Sequence, residues 1–274
     1  MTAPSTLPVP ILMYHEISTD PQRPDGPHHL TPLYDLPAAQ LEDQLRRLSD
    51  GGYQSLSFEE TVSPDPAGPC VILTFDDGLK GNHRYALPLL KRYGLKAVFF
   101  INVGSIGTEP FMTWSDLADL VSEGMSVQSH ALSHRPLQPL PERDIRRELT
   151  ESKRLLEERL RIAVTAISFP HGSYDGTVLR LAREAGYRYC CCSEISPTYL
   201  SSFRGEDRAL GRFAVTTRLS AERFLKMIAY TRGELIRLTV EKRAKNLLKR
   251  VIGIENYRSL YRRYFNIAKP TEGD

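Results

Sequence analysis

Two adjacent carboxylates follow an apolar run in the first third of the chain. Residues 71–75 have the composition of a buried strand, and Asp76, Asp77 and Gly78 come directly after it. Buried charges are costly unless they are paired or bound to metal, and neighbouring carboxylates disfavour each other's ionised form. The pair therefore predicts divided roles, with one carboxylate as a metal ligand and the other as a general base toward water. The alternative is an ordinary Asp-Asp-Gly turn, since glycine suits a tight turn.

Two histidines supply the nitrogen ligands that such a site needs. His130 and His134 are four residues apart, or one helical turn, so both imidazoles can face a single point. One carboxylate and two histidines leave coordination positions open for water and substrate, as hydrolytic metal sites require. We expect one divalent ion, zinc first, although cobalt, nickel, iron or manganese suits the same set. The alternative is a pair that only hydrogen-bonds within a loop ending at Pro136.

Strand-like apolar runs alternate with helix-like periodic runs along most of the chain, the pattern of a parallel sheet with crossover helices. The expected strands span residues 11–14, 71–75, 97–101, 125–129, 163–169, 187–192 and 212–217. The expected helices lie around residues 41–48, 87–93, 113–124, 141–160 and 178–185, the fourth being the longest. This order predicts a single barrel-like α/β domain with a helical C-terminal extension.

The expected barrel would bring the reactive side chains together. In such folds, functional groups lie just past the carboxyl ends of the strands, where the loops converge on one rim. The groups that satisfy this criterion are His15, Asp76-Asp77, His130, His171 and Arg212. We therefore expect these groups to share one site.

Composition narrows the class of protein. The chain has 274 residues, 41% of them hydrophobic, which is enough for a sizeable core, and its net charge of +3 does not indicate nucleic-acid binding. No basic leader precedes the short apolar stretch that Pro8 and Pro10 interrupt, so we expect a cytoplasmic protein without a signal peptide or membrane span. Cys70 and the cysteine triplet at 190–192 are interpreted as small buried thiols in a reducing compartment.

The C-terminal segment is strongly basic. Residues 232–263 contain ten Lys and Arg against three Glu, a charge of about +7. Ala244, Leu247 and Leu248 have helical spacing, and aromatic residues at 257–265 continue an apolar face. Three interpretations follow: a helix packed on the barrel with solvated charges, an interfacial helix on the inner face of an anionic membrane, or an RNA-binding segment.

Three ordered motifs resemble those of a known family. In chain order they are Thr74-Phe75-Asp76-Asp77-Gly78, Ser129-His130-Ala131-Leu132-Ser133-His134 and Phe169-Pro170-His171-Gly172-Ser173-Tyr174-Asp175. They are similar to the first three motifs of the polysaccharide deacetylase (NodB-like) family, and the resemblance covers about residues 9–220. It implies a distorted (β/α)7-type barrel as a catalytic domain over residues 1–220, with residues 221–274 as a basic amphipathic helical extension. It also implies metal-dependent removal of N-acetyl or O-acetyl groups from carbohydrate.

The resemblance assigns roles residue by residue. The implied metal ligands are Asp77, His130 and His134, and the implied base is Asp76. The opening segment at 10–15 resembles the circularly rearranged subgroup that deacetylates poly-N-acetylglucosamine, which makes His15 the implied catalytic acid. No histidine later than His171 competes with it.

The chain departs from the family pattern in both later motifs. Ala131 stands where Ser or Thr usually stabilises the loop of the second motif. Ser168 stands where the third motif often carries an arginine, and Arg212 could supply the missing guanidinium that orients Asp76, as in similar rearranged sequences.

The third motif also supplies the expected substrate contacts. His171 stands where an aromatic residue often follows the proline, and it would either line the sugar subsite or stabilise the oxyanion through its backbone N–H. Pro170, Gly172 and Tyr174 complete the expected substrate-binding set.

The leading hypothesis is a metal-dependent hydrolase that removes N-acetyl groups from a polysaccharide, an oligosaccharide or a lipid-linked glycan. A second hypothesis is a metal-dependent amidohydrolase acting on a non-sugar amide, since no motif excludes it. A third is a degenerate barrel that binds glycan without turnover, which the departures at Ala131 and Ser168 would permit. No nucleic-acid partner is expected.

Overall fold

Strands and helices alternate along the chain, as the sequence pattern predicts. The computed structural model describes residues 7–19, 32–62, 66, 68–204 and 208–252. The strands are Ile11–Tyr14 (β1), Glu16–Ser18 (β2), Asp35–Pro37 (β3), Gln54–Ser55 (β4), Cys70–Phe75 (β5), Val98–Ile101 (β6), Ser126–Ser129 (β7), Ala166–Ser168 (β8), Tyr189–Cys191 (β9) and Phe213–Ala214 (β10). The α-helices are Ala38–Asp50 (α1), Leu87–Arg92 (α2), Trp114–Ser122 (α3), Glu142–Leu160 (α4), Gly176–Glu184 (α5), Ala221–Ile228 (α6) and Arg232–Ile252 (α7).

One parallel sheet organises the molecule. Its strand order is β10-β1-β5-β6-β7-β8-β9, and β4 also pairs with β5. All residues of β1, β5 and β6 are buried, which explains why these strands are continuous apolar runs in the sequence. Cys191 of β9 forms a parallel bridge with Leu210, just before β10, so the sheet curls back toward its first edge. The fold is therefore a distorted (β/α)7-type barrel, and the predicted fold class is confirmed.

The helices cover the barrel through apolar stripes at helical spacing. In α1 the buried side chains include Leu41, Leu45 and Leu48, and Gly51 follows the last helical residue. Helix α3 begins with a capping box, in which the Thr113 hydroxyl accepts from the Asp116 amide and the Asp116 carboxylate accepts from the Thr113 amide. The apolar spacing in α1 is the helix-like periodicity from which the helices were predicted.

Several elements differ from the sequence prediction. The strand expected at 163–169 is only Ala166–Ser168, and the backbone N–H groups of Thr165 and Ala166 both donate to the Gln128 side chain. The strand expected at 212–217 has only two residues, Phe213–Ala214. Helix α4 has 19 residues and α7 has 21, so the expectation that the fourth helix is the longest is wrong. Strands β2, β3 and β4 have two or three residues each, too few to show a period.

The C-terminal helices differ in how they contact the barrel. Phe224, Met227 and Ile228 of α6 are buried in the main hydrophobic core. In α7, Leu238 belongs to the same core, whereas Leu247 and Leu248 are exposed, so this part of the expected apolar face is not packed on the barrel. The expected aromatic face at 257–265 lies outside the described residues, and the division at residue 220 stays a prediction. Within the described ranges, no helix combines the length and apolarity needed to cross a bilayer.

All four cysteines are free and buried, as expected from the sequence. Burial raises the pKa of Cys190 to about 11 and raises the pKa values of the other three thiols as well. The protonated thiol is a poor nucleophile and a poor metal ligand. These cysteines therefore act as small core residues.

Candidate metal centre and active site

Three predicted ligands converge at the rim of the barrel. The Asp77 Oδ1 atom lies 3.3 Å from Nε2 of His130 and 3.0 Å from Nε2 of His134. One donor atom from each residue lies within 4.8 Å of the others. Bonds of about 2.0–2.2 Å to one zinc ion would separate such donors by roughly 3–4 Å, so the set fits a divalent ion of this kind. Among the described residues, no other group of three or more Asp, Glu, His or Cys side chains has this geometry.

A strained turn positions the two carboxylates. Asp77 and Gly78 both have left-handed backbone angles, with φ of 73° and 83°. This conformation costs little for glycine but is unusual for aspartate, and such residues concentrate at functional sites. The Asp76 amide donates to the Tyr14 carbonyl on β1, and the Met112 amide donates to the Gly78 carbonyl. The end of β5 therefore buries two consecutive carboxylates at one point of the rim.

The two histidines approach each other through a loop. The segment at 130–134 is irregular, and Ala131 and His134 have left-handed φ angles of 62° and 59°. The helical turn that the spacing predicted is wrong, because a right-handed helix does not contain the left-handed backbone angles of Ala131 and His134. The predicted convergence of His130 and His134 is nevertheless confirmed, since their rings lie 5.0 Å apart, centroid to centroid.

A backbone carbonyl selects the nitrogen that His130 presents to the centre. Its Nδ1 lies 2.7 Å from the carbonyl oxygen of Ser168, and this contact requires a proton on Nδ1. In the neutral ring, Nε2 then carries the lone pair, which is the tautomer that a metal ligand needs. Burial lowers the pKa of His130, but the hydrogen bond to Asp77 and the charge of Asp76 outweigh burial and raise it.

Asp76 lies in a separate pocket that Arg212 dominates. The Arg212 Nη1 and Nη2 atoms donate to the two Asp76 carboxylate oxygens, each at 2.7 Å. The Ser168 hydroxyl lies between them, accepting from Arg212 Nη2 at 2.7 Å and donating to Asp76 Oδ2 at 3.1 Å. Thr74 accepts a further bond from Nη1, and the Arg212 side chain has no solvent exposure. The guanidinium expected from the departure at Ser168 is therefore present beside Asp76.

The Asp76–Arg212 pair fixes the charge on both groups. Burial alone raises the pKa of Asp76, but the Arg212 charge and its two hydrogen bonds outweigh burial and hold this pKa below its ordinary value. Burial likewise lowers the pKa of Arg212, and the facing carboxylate reverses that effect. Both side chains are consequently ionised at neutral pH.

His15 follows β1 and stands beside the same cluster. Its ring is 4.8 Å from the Tyr34 ring, and its buried Nδ1 has no hydrogen-bond partner among the described residues. Burial lowers the pKa of His15, and the charges of Asp77 and Asp76 act in the opposite direction without cancelling that effect. His15 is therefore mainly neutral at pH 7.

The third motif forms the wall beside His134. His171 lies in a short 3₁₀ turn, Pro170–Gly172, and its ring packs 4.7 Å from the His134 ring. Its Nε2 lies 3.2 Å from the His134 carbonyl oxygen. Tyr174 stacks on Phe169 at 5.4 Å and is partly exposed. The predicted substrate-binding segment therefore borders the loop that carries His130 and His134, and Tyr174 lies three residues after His171.

Some residues of the site have no place in the sequence prediction. Thr74 belongs to the first motif, from which no role was predicted for it. Its hydroxyl accepts from Arg212 and donates to the Leu12 carbonyl, so it links Arg212 to β1. Tyr34 precedes β3 in a segment without periodicity, so no signal could have found it. Glu148 lies in α4 on the same side as Ile145 and Leu149, and a charge on an apolar stripe is a signal that could have been read.

Known deacetylases share this barrel. The solved structure of the Streptococcus pyogenes deacetylase PplD in complex with acetate is similar to this chain, with a TM-score of 0.73 and 26% identity, over 82% of this chain and 99% of that one. The fold thus defines a barrel of the deacetylase class.

Sequence comparison gives the family. The profile described as polysaccharide deacetylase matches residues 63–190. The Bacillus subtilis protein YxkH, assigned by name to the polysaccharide deacetylases, is 33% identical over 185 residues, 66% of this chain and 62% of its own. A Staphylococcus aureus poly-β-1,6-N-acetyl-D-glucosamine N-deacetylase is 24% identical over 57% of this chain and 60% of its own. The chain therefore spans about three fifths of these two curated relatives, and it belongs to the polysaccharide deacetylase family.

Proposed function

We propose that this chain is a metal-dependent hydrolase that removes N-acetyl groups from N-acetylated sugar residues of a polysaccharide, an oligosaccharide or a lipid-linked glycan. The observation that carries the proposal is the convergence of Asp77, His130 and His134 beside the ionised Asp76–Arg212 pair. The name of the Staphylococcus aureus relative supports an N-acetylated glucosamine polymer as the substrate class.

Asp77, His130 and His134 would hold one divalent ion, for which we propose zinc, with cobalt, nickel, iron or manganese as chemically acceptable replacements. When bound, such an ion supplies a Lewis acid that polarises the acetyl carbonyl and makes water more acidic. The Ser168 carbonyl keeps His130 in the tautomer that this role needs.

Asp76 would act as the base toward the attacking water. Its ionised state follows from the Arg212 charge and hydrogen bonds. A carboxylate held in this way is a weak base, but it has a fixed position and a permanent charge. The water loses one proton to Asp76, and its oxygen forms the new bond to the acetyl carbon.

His15 would protonate the leaving amine. When the carbon–nitrogen bond breaks, the electron pair goes to nitrogen, and a proton from the His15 imidazolium completes the amine. Because the pKa of His15 is lowered, only a minor fraction of the free protein carries that proton at pH 7. Activity should then fall as pH rises through this pKa, and His15→Ala should lose that limb of the pH profile of kcat/KM.

The third motif would contact the sugar. Pro170, His171, Gly172 and Tyr174 are proposed to bind it, because the His171 ring packs directly on that of His134. The exposed edge of His171 would then meet the sugar, or its backbone N–H would meet the developing oxyanion. Replacing His171 by Phe keeps a flat ring and the N–H, so unchanged activity with His171→Phe and reduced activity with His171→Ala would favour the ring contact.

Acetate release tests the proposed reaction. Metal-stripped protein is titrated calorimetrically with zinc and then assayed on N-acetylglucosamine oligomers, O-acetylated sugars and small non-sugar amides. We expect one zinc per chain and acetate from the N-acetylated sugars. The His130→Ala/His134→Ala variant should lose both, and His83→Ala, at a half-buried histidine that faces Asp116 and Asp119, is the matched control.

The same panel separates the alternatives. Turnover of the small amides alone would point to a non-sugar amidohydrolase. Zinc binding without turnover of any substrate would support a glycan-binding barrel, and absence of zinc binding by the unaltered chain would contradict the proposed metal centre.

We also propose a cytoplasmic location with peripheral contact to an anionic membrane surface through α7. Ile236, Val240 and Leu247 are spaced by four and seven residues and are 55%, 58% and 63% exposed, so they form one apolar line along the helix. Arg232 and Arg243 are exposed on the same helix and would face lipid phosphate. Contact with membrane would bring the site near a lipid-linked or nascent glycan.

Vesicle sedimentation tests this contact. The full chain should sediment with anionic vesicles at low salt and less with zwitterionic ones. Ile236→Ser/Val240→Ser should weaken binding, whereas Leu225→Ser, which removes an exposed leucine of α6, should not. If all of the full chain stays in the supernatant with both kinds of vesicle at every salt concentration, the proposal is contradicted.

A further inference from the structure

The loop that carries His134 needs an external support. Ala131 and His134 both adopt left-handed backbone conformations, which L-residues avoid. Left-handed residues persist only where the surrounding structure determines them. The position of His134 relative to Asp77 therefore depends on whatever holds the backbone between Ala131 and His134.

Glu148 of α4 supplies one side of that support. Its Oε2 accepts the backbone N–H groups of Leu132 and Ser133, each at 2.9 Å, and its Oε1 accepts the Ser133 hydroxyl. Glu148 is 6% exposed although it occupies the apolar stripe of its helix. A buried carboxylate on an apolar stripe is costly unless it is fully hydrogen-bonded, and these three bonds satisfy it.

The 3₁₀ turn after β6 supplies the other side. The backbone N–H of Val103 donates to the Ala131 carbonyl at 3.2 Å, and that of Gly104 donates to the Leu132 carbonyl at 2.6 Å. A Cβ at position 104 would lie 2.5 Å from the Leu132 carbonyl oxygen, a distance that requires a shift. The loop is thus held by carboxylate acceptors on one side and amide donors on the other.

Side chains of α4 hold the loop although Ala131 has no hydroxyl that could do so. An alanine there has no hydroxyl to bind the loop, but the Ala131 amide donates to the Ser129 hydroxyl at 3.1 Å. That hydroxyl donates to Ser152, one turn after Glu148 on α4, and Ser152 donates back to the Glu148 carbonyl. Helix α4 is therefore hydrogen-bonded to the loop through Ser152 and Glu148. Of these two side chains, Glu148 is the one that binds Leu132 and Ser133.

We propose that Glu148 is a positioning residue that sets the geometry of the metal ligands by fixing the backbone that presents His134. This role rests on the proposed metal centre. The Glu148 carboxylate binds the backbone N–H groups of Leu132 and Ser133 and the Ser133 hydroxyl, so it acts through the loop. Partners outside the ligand set commonly contribute 10–100-fold to metal affinity, and we expect an effect of about that size.

Two substitutions of similar volume isolate the acceptor. Glu148→Gln keeps an oxygen for the two amides and can donate to the Ser133 hydroxyl, so zinc affinity should change little. Glu148→Met keeps the volume and helix propensity without an acceptor, so the zinc Kd of metal-stripped protein should rise by about 10–100-fold. Amide exchange at Leu132 and Ser133 should accelerate in the Met variant alone. Glu158→Ala, an exposed glutamate of the same helix, is the control.

Each outcome decides a different point. Zinc affinity in Glu148→Met equal to that of the parent would overturn the role of Glu148 and leave the metal centre intact. Failure of the parent itself to bind zinc would overturn the metal centre, and the role with it. If Glu148→Met does not fold, Gly104→Ala displaces the loop from the opposite side. An unchanged zinc Kd in that variant would overturn the proposal that the loop sets ligand geometry.

Discussion

Asp76 and Asp77 are consecutive residues, yet their surroundings differ in kind. Asp77 faces two imidazoles at 3.3 and 3.0 Å. Asp76 faces one guanidinium that binds both of its oxygens at 2.7 Å, with a serine hydroxyl alongside. Asp77 therefore lies among donors that can share a cation, and Asp76 has a permanent cation of its own. The partners, rather than the type of side chain, therefore divide the two proposed roles.

Loss of Asp77 should have the largest effect. Asp77→Ala removes the oxygen donor and leaves two nitrogens, so we expect neither measurable zinc binding nor acetate release. Calorimetric titration of the metal-stripped variant checks this directly. Zinc binding with the parent's affinity would mean that the roles of the two carboxylates are not divided as proposed.

Loss of the Asp76 charge should affect turnover without affecting the metal. Asp76→Asn keeps the volume and removes the proposed base, and a general-base step contributes about 10²–10⁴-fold to kcat. Zinc affinity should stay near that of the parent, because Asp76 is not among the three converging donors. Equal losses of zinc binding and of turnover in Asp76→Asn would show that both carboxylates serve the metal.

Removal of Arg212 should act mainly on stability. Arg212→Met leaves the buried Asp76 carboxylate without its cation, and breaking a buried ion pair on one side costs about 3–5 kcal/mol of unfolding free energy. Denaturant unfolding measures the loss. The double variant Asp76→Asn/Arg212→Met should recover part of it, because no unpaired charge stays buried. A double variant less stable than Arg212→Met would contradict this explanation.

Ser168→Ala should have the smallest effect. It removes one hydrogen bond to Asp76 and one acceptor for Arg212, while both direct contacts between these residues persist. The expected loss is about 1 kcal/mol of unfolding free energy, with a decrease in kcat smaller than that of Asp76→Asn. Ser122→Ala on the surface of α3 is the control. A decrease in kcat as large as that of Asp76→Asn would give Ser168 a share of the base function.

The sequence was sufficient to predict the barrel and the composition of its rim. The apolar runs of β1 and β5, with His15 and Asp76-Asp77 directly after them, locate the site, because the ends of parallel strands converge. The convergence of His130 and His134 followed from their types and spacing. Their path did not, since left-handed backbone at Ala131 and His134 depends on contacts from α4 and from the turn at 103–105.

Long-range partners were the main element that sequence could not supply. The pairing of Arg212 with Asp76 was expected only through resemblance, because no local pattern connects residues 136 positions apart. Glu148 interrupts an apolar stripe, which marks it as unusual without identifying the loop that it binds. Ile236, Val240 and Leu247 of α7 are exposed, whereas a helix packed on the barrel would bury them. Amphipathic spacing predicts an apolar face but does not show what covers that face.

Barrel closure has a consequence for how the molecule acquires activity. β1 pairs with β5 on one side and with β10 on the other, and Arg212 directly precedes β10. The Asp76 pocket therefore stays incomplete until β10, the last strand of the described residues, docks. Contacts between residues so distant in sequence form slowly because they close a long loop. During refolding, zinc capture by residues 77–134 should precede the first acetate release. A newly synthesised chain would thus be inactive until β10 has paired with β1.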